Sequence, residues 1–436
     1  MFDKILIANR GEIAVRIIRA CREMGIKTVA VYSQADTDSL HVAMADEAIC
    51  IGPASASESY LDQNKIITTA LMCKAQAIHP GYGFLAENHE FARLCEKYGL
   101  VFIGPKADII SKMGDKDAAR KIMIQSGVPV IPGTDILKDE KEAKLKAHEI
   151  GYPVMLKASA GGGGKGIRLV KDESEIENAY TTASNEALKA FGDGRMYMEK
   201  YLFPAKHIEV QLLCDEQGGV VCLGERECSV QKNNQKLIEE SPSSFVSNET
   251  REKLFDAASK AAKAVSYVNA GTIEFLMDKD QNFYFMEMNT RLQVEHPVSE
   301  LVCGRDIVKW QIRIAAGVPL SFTQEEVVLK GSAIECRINA TAVGNVKFLH
   351  IPSGPWVRFD SCLYQGYSIP PFYDSMLGKM IVFSSNREEA IRKMQSALCE
   401  LVIEGAPNNI DSQIMILRDN DFKNGDYYTD FMQRFD

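Results

Sequence analysis

Several features that point to particular classes of protein are missing from this sequence of 436 residues. No apolar run approaches the roughly 20 residues that a membrane-spanning helix needs. The first four residues lead directly into an apolar segment, without the basic region of a signal peptide. The eleven cysteines contain no C-x-x-C pair, and the seven histidines contain no H-x-x-x-H pattern. These absences predict a cytoplasmic protein with free thiols, and they argue against a disulfide framework and a zinc site.

A basic surface and two common nucleotide-binding motifs are also absent. The net charge is −9, whereas nucleic-acid binders are normally basic, so no nucleic-acid partner is expected. The first apolar run is followed by Asn9-Arg10-Gly11, which lacks the G-x-G-x-x-G pattern of dinucleotide-binding folds. The glycine run at 161–166 is not a Walker A loop, because Gly166 rather than Ser or Thr follows Lys165. An anionic small substrate remains compatible with this composition, since only local charge decides its binding.

What the sequence does contain is enough apolar surface for about three globular domains. The composition is 46% hydrophobic and 25% charged, which is typical of a soluble globular protein with domains of roughly 150 residues. Short apolar runs alternate with helical stripes up to about residue 112, which predicts an N-terminal doubly wound parallel sheet. Residues 113–330 are predicted to form a second unit, with a small α+β subdomain at about 131–203. Residues 331–436 are predicted to form a third, α+β unit, so the predicted fold class is α/β.

Periodicity and composition also give four local predictions. Apolar spacing predicts one helix at 111–126 and another at 387–404. The polar segment 224–236 has two interpretations, a surface loop or the lining of a cleft. The Gly- and Pro-rich segment 79–85 follows the fourth predicted strand, where open α/β sheets bind their ligands.

The most informative stretch is a predicted β-hairpin at 272–300, whose strands carry unusual polar residues. Five of these are spaced by two, so an extended backbone would project them to one face: Glu287, Asn289, Arg291, Gln293 and Glu295. A solvated strand face is the simpler explanation. The residue types are nevertheless those that bind metals and anions, rather than Lys, Thr and Ser, and this favours a functional face.

The metal hypothesis requires a definite strand register. For Glu274 to lie opposite Glu287, Asp278 must pair with Phe283, which leaves a four-residue connection at 279–282. A five-residue connection that pairs Met277 with Phe283 would turn Glu274 to the wrong face, unless a β-bulge intervenes.

A second polar feature is the run of four glycines at 161–164, between predicted strands at 152–158 and 167–170. Glycines allow backbone amides to approach a phosphate chain without a Cβ clash. The alternative is a flexible hairpin tip. Lys157 before the run and Lys165 within it favour phosphate binding.

These motifs together, with several others, resemble those of biotin carboxylase, the ATP-grasp component of biotin-dependent carboxylases. The resemblance covers nearly the whole chain, and its motifs stand in family order: I-A-N-R-G-E-I-A-x-R, H-P-G-Y-G-F-L, M-G-D-K, G-G-G-G-x-G, M-E-K-Y-L, G-T-I-E-F-L, E-M-N-T-R-L-Q-V-E-H, E-C-R-I-N-A and Y-D-S-M. It implies a three-domain ATP-grasp architecture with a glycine-rich lid. It also implies carboxylation of biotin from bicarbonate and ATP through carboxyphosphate, with Mg²⁺ or Mn²⁺.

The resemblance implies a role for each matching residue. For catalysis it implies Glu295 as general base, Arg337 as stabiliser of the biotin enolate, and Arg291 and Lys236 as anion ligands. Bicarbonate would also contact Gln293 and the Val294 backbone, Tyr82 would shape the biotin pocket, and the implied metal ligands are Glu274, Glu287 and Asn289. The implied nucleotide-binding residues are Lys116, Lys157, Gly162, Gly163, Gly164, Glu199, Lys200, Leu202, His207, Gln231 and Asn234.

Two departures from the family pattern leave alternatives open. Asn234 stands where the family usually has His, which predicts weaker nucleotide binding. After Ala340 the family's E-D-P and P-S-P-G stretches are missing or altered, and the segment 341–355 is shorter. One alternative is another ATP-grasp ligase, such as a carbamoyl-phosphate synthetase half or a purine-pathway carboxylase. Another is a catalytically impaired scaffold that keeps the fold.

The sequence contains no A-M-K-M biotinylation motif, so the biotin is expected on a separate carrier protein. The expected partners are a biotin carboxyl carrier protein and carboxyltransferase subunits, with a homodimer by analogy. Acetyl-CoA carboxylase is the favoured parent complex. A split pyruvate carboxylase or another acyl-CoA carboxylase is the alternative.

Overall fold

The computed structural model describes residues 1–160 and 166–435, and its N-terminal part is a five-stranded parallel sheet. Buried runs such as Ile5–Ile7 form the strands, and one-sided apolar stripes form the helices that cover them. The elements are β1 (Lys4–Ile7), α1 (Gly11–Glu23), β2 (Lys27–Ser33), α2 (Leu40–Met44), β3 (Glu47–Gly52), α3 (Gln63–Met72), β4 (Ala77–His79), α4 (His89–Lys97) and β5 (Val101–Phe102). The strand order is β3-β2-β1-β4-β5, and every pair is parallel. The prediction of a doubly wound parallel sheet is confirmed.

The order of this sheet reverses beside β1, and the loops after β1 and β4 therefore meet at the carboxyl edge. The Asn9 amide joins them, donating to the carbonyls of Pro80 and Tyr82 at 2.7 Å each. Such a switch point is where open α/β sheets bind ligands.

The helix predicted at 111–126 is two helices, α5 (Ala107–Gly114) and α6 (Lys116–Gln125). Asp115 breaks the first helix with a ψ of 109°, and its carboxylate caps the second by accepting from the Ala118 amide at 3.0 Å. The single-helix prediction was wrong because apolar spacing continues through the capping residue. The break makes Lys116 the first residue of α6.

A small three-stranded sheet follows, in the order β7-β6-β8. Its elements are α7 (Glu140–Ile150), β6 (Val154–Ala158), β7 (Ile167–Val170), α8 (Ile176–Phe191) and β8 (Met196–Lys200). The predicted strands on either side of the glycine run are present. Gly162, Gly163, Gly164 and Lys165, on which the phosphate-binding prediction rests, lie outside the described residues.

A large antiparallel sheet of eight strands continues across residue 330, in the order β13-β12-β9-β10-β11-β14-β17-β16. Its first elements are β9 (Lys206–Cys214), β10 (Val220–Lys232), β11 (Gln235–Ser241), α9 (Asn248–Ala264), β12 (Asn269–Met277), β13 (Phe283–Asn289), α10 (His296–Cys303) and α11 (Ile307–Ala315). The loop interpretation of 224–236 is wrong, because most of that segment is strand. Only Asn233 and Asn234 form the connection, with φ values of 52° and 61°, as in a two-residue type I′ turn.

The C-terminal part adds strands to the same sheet and covers it with helices. Its elements are β14 (Ser332–Asn339), β15 (Phe348–His350), β16 (Val357–Ser361), β17 (Met376–Ser384), α12 (Arg387–Glu400), β18 (Val402–Glu404), α13 (Ile410–Arg418) and α14 (Asn420–Asn424). The helix predicted at 387–404 ends at Glu400, because the β-branched Val402 and Ile403 pair with β15 instead. The division into units at 112/113 and 330/331 stays a prediction. Among the described residues, no helix combines the length and the apolar character needed to cross a membrane.

The hairpin of β12 and β13 places Glu274 opposite Glu287, but through a different register from the predicted one. Met277 pairs with Phe283, and a shift after Glu274 leaves Met286 as an extra residue on β13. The predicted pairing of Asp278 with Phe283 is wrong, because the Asp278 amide bonds to the Asn282 carbonyl at 2.9 Å and closes the loop. The bulge compensates for the five-residue connection and returns the two carboxylates to the same position along the strands.

A substitution of Lys206 would measure how much one buried ion pair stabilises the large sheet. Its side chain is fully buried, lies 2.6 Å from Glu227 and donates to the carbonyls of Gly425 and Tyr427 at 3.0 and 2.7 Å. We expect Lys206→Met to lower the free energy of unfolding by about 3 kcal/mol, because Glu227 would stay buried without its cation. Thermal unfolding checks this, with the exposed Lys260→Met as control, for which a change below about 0.5 kcal/mol is expected. Equal effects in the two variants would contradict the prediction.

Candidate active site

A cavity of about 690 Å³ lies between the three-stranded sheet and the large sheet. It brings together residues that are spread over most of the chain. The predicted site residues that line it are Lys116, Lys157, Glu199, Lys200, Leu202, His207, Gln231, Asn234, Lys236, Glu274, Glu287, Asn289, Arg291, Gln293, Val294, Glu295 and Arg337. Tyr82 is not among its lining residues. It lines a neighbouring cavity of about 500 Å³, which shares Gln235, Lys236, Val294 and Arg337 with the first.

The prediction that Glu287 to Glu295 share one extended strand is wrong. β13 ends at Asn289, and Glu295 stands immediately before α10. Between them the chain is irregular, and its carbonyls bond to side chains and to the helix instead of to a neighbouring strand. Arg291, Gln293 and Glu295 therefore reach the cavity individually and not as one strand face.

The ammonium group of Lys236 is the centre of the cavity's charge network. Its Nζ lies 2.7 Å from Glu209 Oε2, 3.1 Å from Glu274 Oε1 and 2.6 Å from Glu295 Oε1. Burial opposes the charged form of Lys236, but the three carboxylates outweigh it and raise its pKa well above the usual range. One cation thus keeps three buried carboxylates together.

Glu295 is held from its other side by Arg337. The guanidinium lies 2.9 Å from Glu295 Oε2 and also donates from Nε to Glu239 Oε1 at 2.6 Å. Burial disfavours ionisation of Glu295, yet Lys236 and Arg337 outweigh it and hold the pKa of this carboxyl well below its usual range. Burial has the opposite result at Glu239, whose pKa rises to about 7 despite Arg337. Glu295 is therefore ionised at neutral pH.

Glu274 is buried among four donors, whereas Glu287 is half-exposed. Glu274 Oε1 accepts from Asn289 and Gln293 at 2.7 Å each, and its Oε2 lies 2.9 Å from His207 Nε2. Burial opposes ionisation of Glu274, but Lys236 and His207 lower its pKa well below the usual range. Glu287 Oε2 lies 3.3 Å from Lys116 Nζ. The two predicted carboxylate ligands thus each face a lysine, whereas the Asn289 oxygen accepts from Arg291 at 2.9 Å.

His207 is oriented by Gln231. The amide of Gln231 donates to the Cys228 carbonyl at 2.6 Å and lies 2.7 Å from His207 Nδ1. With the amide as donor, Nδ1 accepts and Nε2 carries the proton, 2.9 Å from Glu274 Oε2.

The lysines at the far end of the cavity contact protein groups. Lys157 forms an ion pair with Glu199, while Lys200 donates to the carbonyls of Gly151 and Tyr152 at 2.8 and 3.2 Å. Leu202 is half-buried, and Asn234 is exposed at the hairpin turn.

Three residues that hold the predicted side chains were missed from the sequence. Glu209 alternates with His207 and Gln211 along β9, so the spacing rule used for the hairpin could have found it. Arg226 is fully buried and fixes the Gln293 amide by donating to its Oε1 at 2.6 Å; a charged residue inside a strand was the available signal. Glu87 accepts from Arg291 Nε at 2.7 Å across 204 positions of sequence, and no sequence pattern joins these two.

Comparison with known proteins agrees with this geometry. Family models match three successive parts of the chain: the biotin carboxylase N-terminal domain at 1–110, the ATP-binding domain of the carbamoyl-phosphate synthase L chain at 115–323, and the biotin carboxylase C-terminal domain at 335–434. The central match alone would suit another ATP-grasp ligase, but the flanking two are specific to biotin carboxylase.

Relatives that match the chain over nearly its full length are identical to it at about half of the aligned positions. Biotin carboxylase 1 of Bacillus subtilis is 53% identical, with 100% of this chain and 99% of that protein covered. The 2-oxoglutarate carboxylase small subunit of Hydrogenobacter thermophilus is 50% identical, covering 99% and 93%. One pyruvate carboxylase subunit, from Methanothermobacter thermautotrophicus, is 50% identical, covering 100% and 90%.

Solved structures give the same result. The biotin carboxylase of Campylobacter jejuni, in a βγ-ATP complex, superposes with a TM-score of 0.98 at 49% identity, covering 100% of this chain and 99% of that one. The biotin carboxylase domain dimer of the Hydrogenobacter thermophilus 2-oxoglutarate carboxylase, with MgADP, ADP and bicarbonate, gives 0.96 at 49% identity, covering 100% and 98%.

The fold and the cavity between the three-stranded and eight-stranded sheets define an ATP-grasp enzyme, an ATP-dependent ligase. Within that class, the chain belongs to the biotin carboxylase family.

Proposed function

We propose that this protein carboxylates biotin, with bicarbonate as the carbon source and ATP as the energy source. The observation that carries the proposal is the arrangement of Lys236 and Arg337 on the two oxygens of the ionised Glu295. Three groups therefore lie together. Glu295 can accept a proton, Lys236 can bind an anionic substrate, and Arg337 can stabilise a developing oxyanion.

Glu295 is proposed as the general base that takes the proton from bicarbonate. A carboxyl with a strongly lowered pKa is a weak base while Lys236 and Arg337 are both bound to it. An anion that binds Lys236 and Arg291 would share Lys236 with Glu295 and would thereby raise the basicity of Glu295. The Gln293 side chain and the Val294 amide complete the anion pocket.

The nucleotide is proposed to bind between the two sheets. Lys116 and Lys157 would neutralise phosphate charge, with the glycine-rich segment 161–166 as a lid. The residues that would contact adenosine are Glu199, Lys200, Leu202, His207, Gln231 and Asn234. Glu274, Glu287 and Asn289 fit Mg²⁺ or Mn²⁺, because all three line the cavity, the two glutamates pair across the hairpin, and carboxylate and amide oxygens are the hard donors that these ions prefer. A bound metal ion would supply charge neutralisation at the phosphates.

The second cavity is proposed to hold biotin carried on a separate protein, with Arg337 stabilising its enolate oxygen and Tyr82 shaping the pocket. The proposed partners are a biotin carboxyl carrier protein, carboxyltransferase subunits and a second copy of the chain. Acetyl-CoA carboxylase is the proposed parent complex. A split pyruvate carboxylase or another acyl-CoA carboxylase is the second candidate, since the relatives include subunits of pyruvate and 2-oxoglutarate carboxylases.

The decisive experiment follows ¹⁴C-bicarbonate into free biotin, together with release of ADP. We expect incorporation that requires ATP, Mg²⁺ and biotin. Equal ATP cleavage without biotin would overturn the proposal in favour of another ATP-grasp ligase. ATP binding without carboxybiotin would favour the impaired scaffold, and Asn234→His would then test whether the turn residue is responsible.

Glu87 gives a more selective prediction about the anion pocket. Its carboxylate orients Arg291 but is partly exposed, so we expect Glu87→Gln to raise the KM for bicarbonate only about threefold while leaving that for ATP unchanged. Steady-state kinetics check this. Glu90→Gln serves as the control, because that exposed carboxylate pairs with Arg93 at 2.8 Å. A rise in both KM values would contradict the prediction.

A further inference from the structure

Lys379 lies between the two cavities, and the proposed reaction does not use it. It stands on β17 directly opposite Arg337 on β14, and its side chain is fully buried. Two cations at opposed strand positions repel each other. The burial of the Lys379 ammonium beside the proposed enolate-stabilising guanidinium of Arg337 therefore needs an explanation.

The contacts of Lys379 run toward both cavities. Its ammonium donates to the carbonyl of Val294 and lies 3.4 Å from Glu12 Oε1. The same Glu12 oxygen accepts from the hydroxyl of Tyr82. A continuous chain of polar contacts thus runs from Tyr82 in the second cavity to the backbone beside Glu295 in the first.

The backbone contact matters because it helps to fix the orientation of Val294. The Gln293 carbonyl lies 2.8 Å from His296 Nδ1, and the Val294 carbonyl accepts from Lys379. Each peptide unit is planar, so fixing the Gln293 oxygen also fixes the Val294 N–H, and fixing the Val294 oxygen fixes the amide of Glu295. Both peptide units around Val294 are therefore held.

His296 can serve as the donor in this arrangement. Burial lowers the pKa of its imidazole well below the usual range, and Lys379 adds to the effect. The ring is then neutral, and a proton on Nδ1 suits the Gln293 carbonyl.

We infer that Lys379 is a positioning residue, which holds the Val294–Glu295 peptide unit beside the anion pocket and couples this unit through Glu12 to Tyr82 at the biotin side. The inference rests on the proposed function, because it assigns bicarbonate to the first cavity and biotin to the second. Lys379 lines neither cavity. It acts on the anion through the Val294 backbone and on biotin through Glu12 and the Tyr82 hydroxyl.

The test is Lys379→Met, which keeps most of the length and volume of the side chain and removes the ammonium. We expect the KM for bicarbonate to rise about tenfold while the KM for ATP stays within about twofold, because one charge-assisted contact behind the anion pocket is lost. Glu12→Gln keeps the shape of its side chain, and we expect about a threefold rise in the KM for both bicarbonate and biotin. Tyr82→Phe combined with Lys379→Met should be non-additive, because both act through one Glu12 oxygen.

Lys206→Met is the matched control, since it removes another fully buried ammonium from the same sheet. It should lower the thermal midpoint without changing the KM for bicarbonate. An unchanged bicarbonate KM in Lys379→Met, or additive effects in the double variant, would overturn the inference. If Lys379→Met does not fold, unchanged substrate KM values in Glu12→Gln would overturn it.

A second readout separates this inference from the proposed function. Bicarbonate should raise the thermal midpoint of the unmodified protein, and Lys379→Met, or Glu12→Gln in its place, should reduce that rise. If the unmodified protein shows the rise but makes no carboxybiotin, the proposed function fails and the positioning role stands. If the variant shows the same rise as the unmodified protein, the positioning role fails.

Discussion

Replacing Glu295 with Gln is expected to lower kcat for biotin carboxylation by about 10³-fold, because an amide of the same shape cannot accept a proton. The fold should survive the change. In the variant, Arg337 still has its ion pair with Glu239. Lys236 still has its ion pairs with Glu209 at 2.7 Å and Glu274 at 3.1 Å. ¹⁴C-bicarbonate incorporation measures the rate, and binding of a non-hydrolysable ATP analogue should stay unchanged.

The control for this variant is Glu225→Gln. Glu225 is equally buried and pairs with Arg251 at 2.8 Å, and it does not line the cavity. The Glu225→Gln protein should have a lower thermal stability and an unchanged kcat. A Glu295→Gln protein with kcat within about tenfold of the unmodified one would contradict the assignment of the general base.

Replacing Lys236 with Met should have the largest combined effect, because it leaves three buried carboxylates without their shared cation. We expect the kcat of carboxylation to fall by more than about 10³-fold and the free energy of unfolding at neutral pH to fall by about 4 kcal/mol. Lys253→Met is the control, since that exposed lysine pairs with Glu249 at 2.7 Å on α9. No change in either quantity is expected for it.

The pH dependence of stability gives this prediction a definite sign. In the unmodified protein the pKa values of Glu274 and Glu295 are lowered. Their stabilisation is therefore present above about pH 4.3, the usual pKa of a glutamate, and is lost as the pH falls through the folded-state values. Without Lys236, burial would raise these pKa values, and ionisation would destabilise the fold at neutral pH.

The stability difference between the two proteins should therefore be largest at neutral pH and shrink on acidification. Thermal unfolding between pH 5 and 8 in the presence of EDTA measures it. A difference that is constant or grows as the pH falls would show that Lys236 does not hold these carboxylates ionised.

Much of the fold was predictable because its signals are local. Alternating buried strands and amphipathic helices gave the parallel sheet, since periodicity is a property of a short backbone segment. The errors fall where a side chain interrupts the period. Asp115 ends one helix and caps the next, and Asp278 closes a loop that shifts the hairpin register.

Some features of the candidate site were likewise predictable from the sequence, and others were not. The sequence by itself determined which residue types are present, their membership in the biotin carboxylase family, and the pairing of Glu274 with Glu287 as a requirement. Only the tertiary structure decided how that requirement is met, through the bulge at Met286. It also decided which partners hold the site, because Glu87 reaches Arg291, and Lys379 reaches Val294, only when distant segments fold against each other. Spacing constrains neighbours on one strand, whereas contacts between strands and domains depend on the closure of the whole chain.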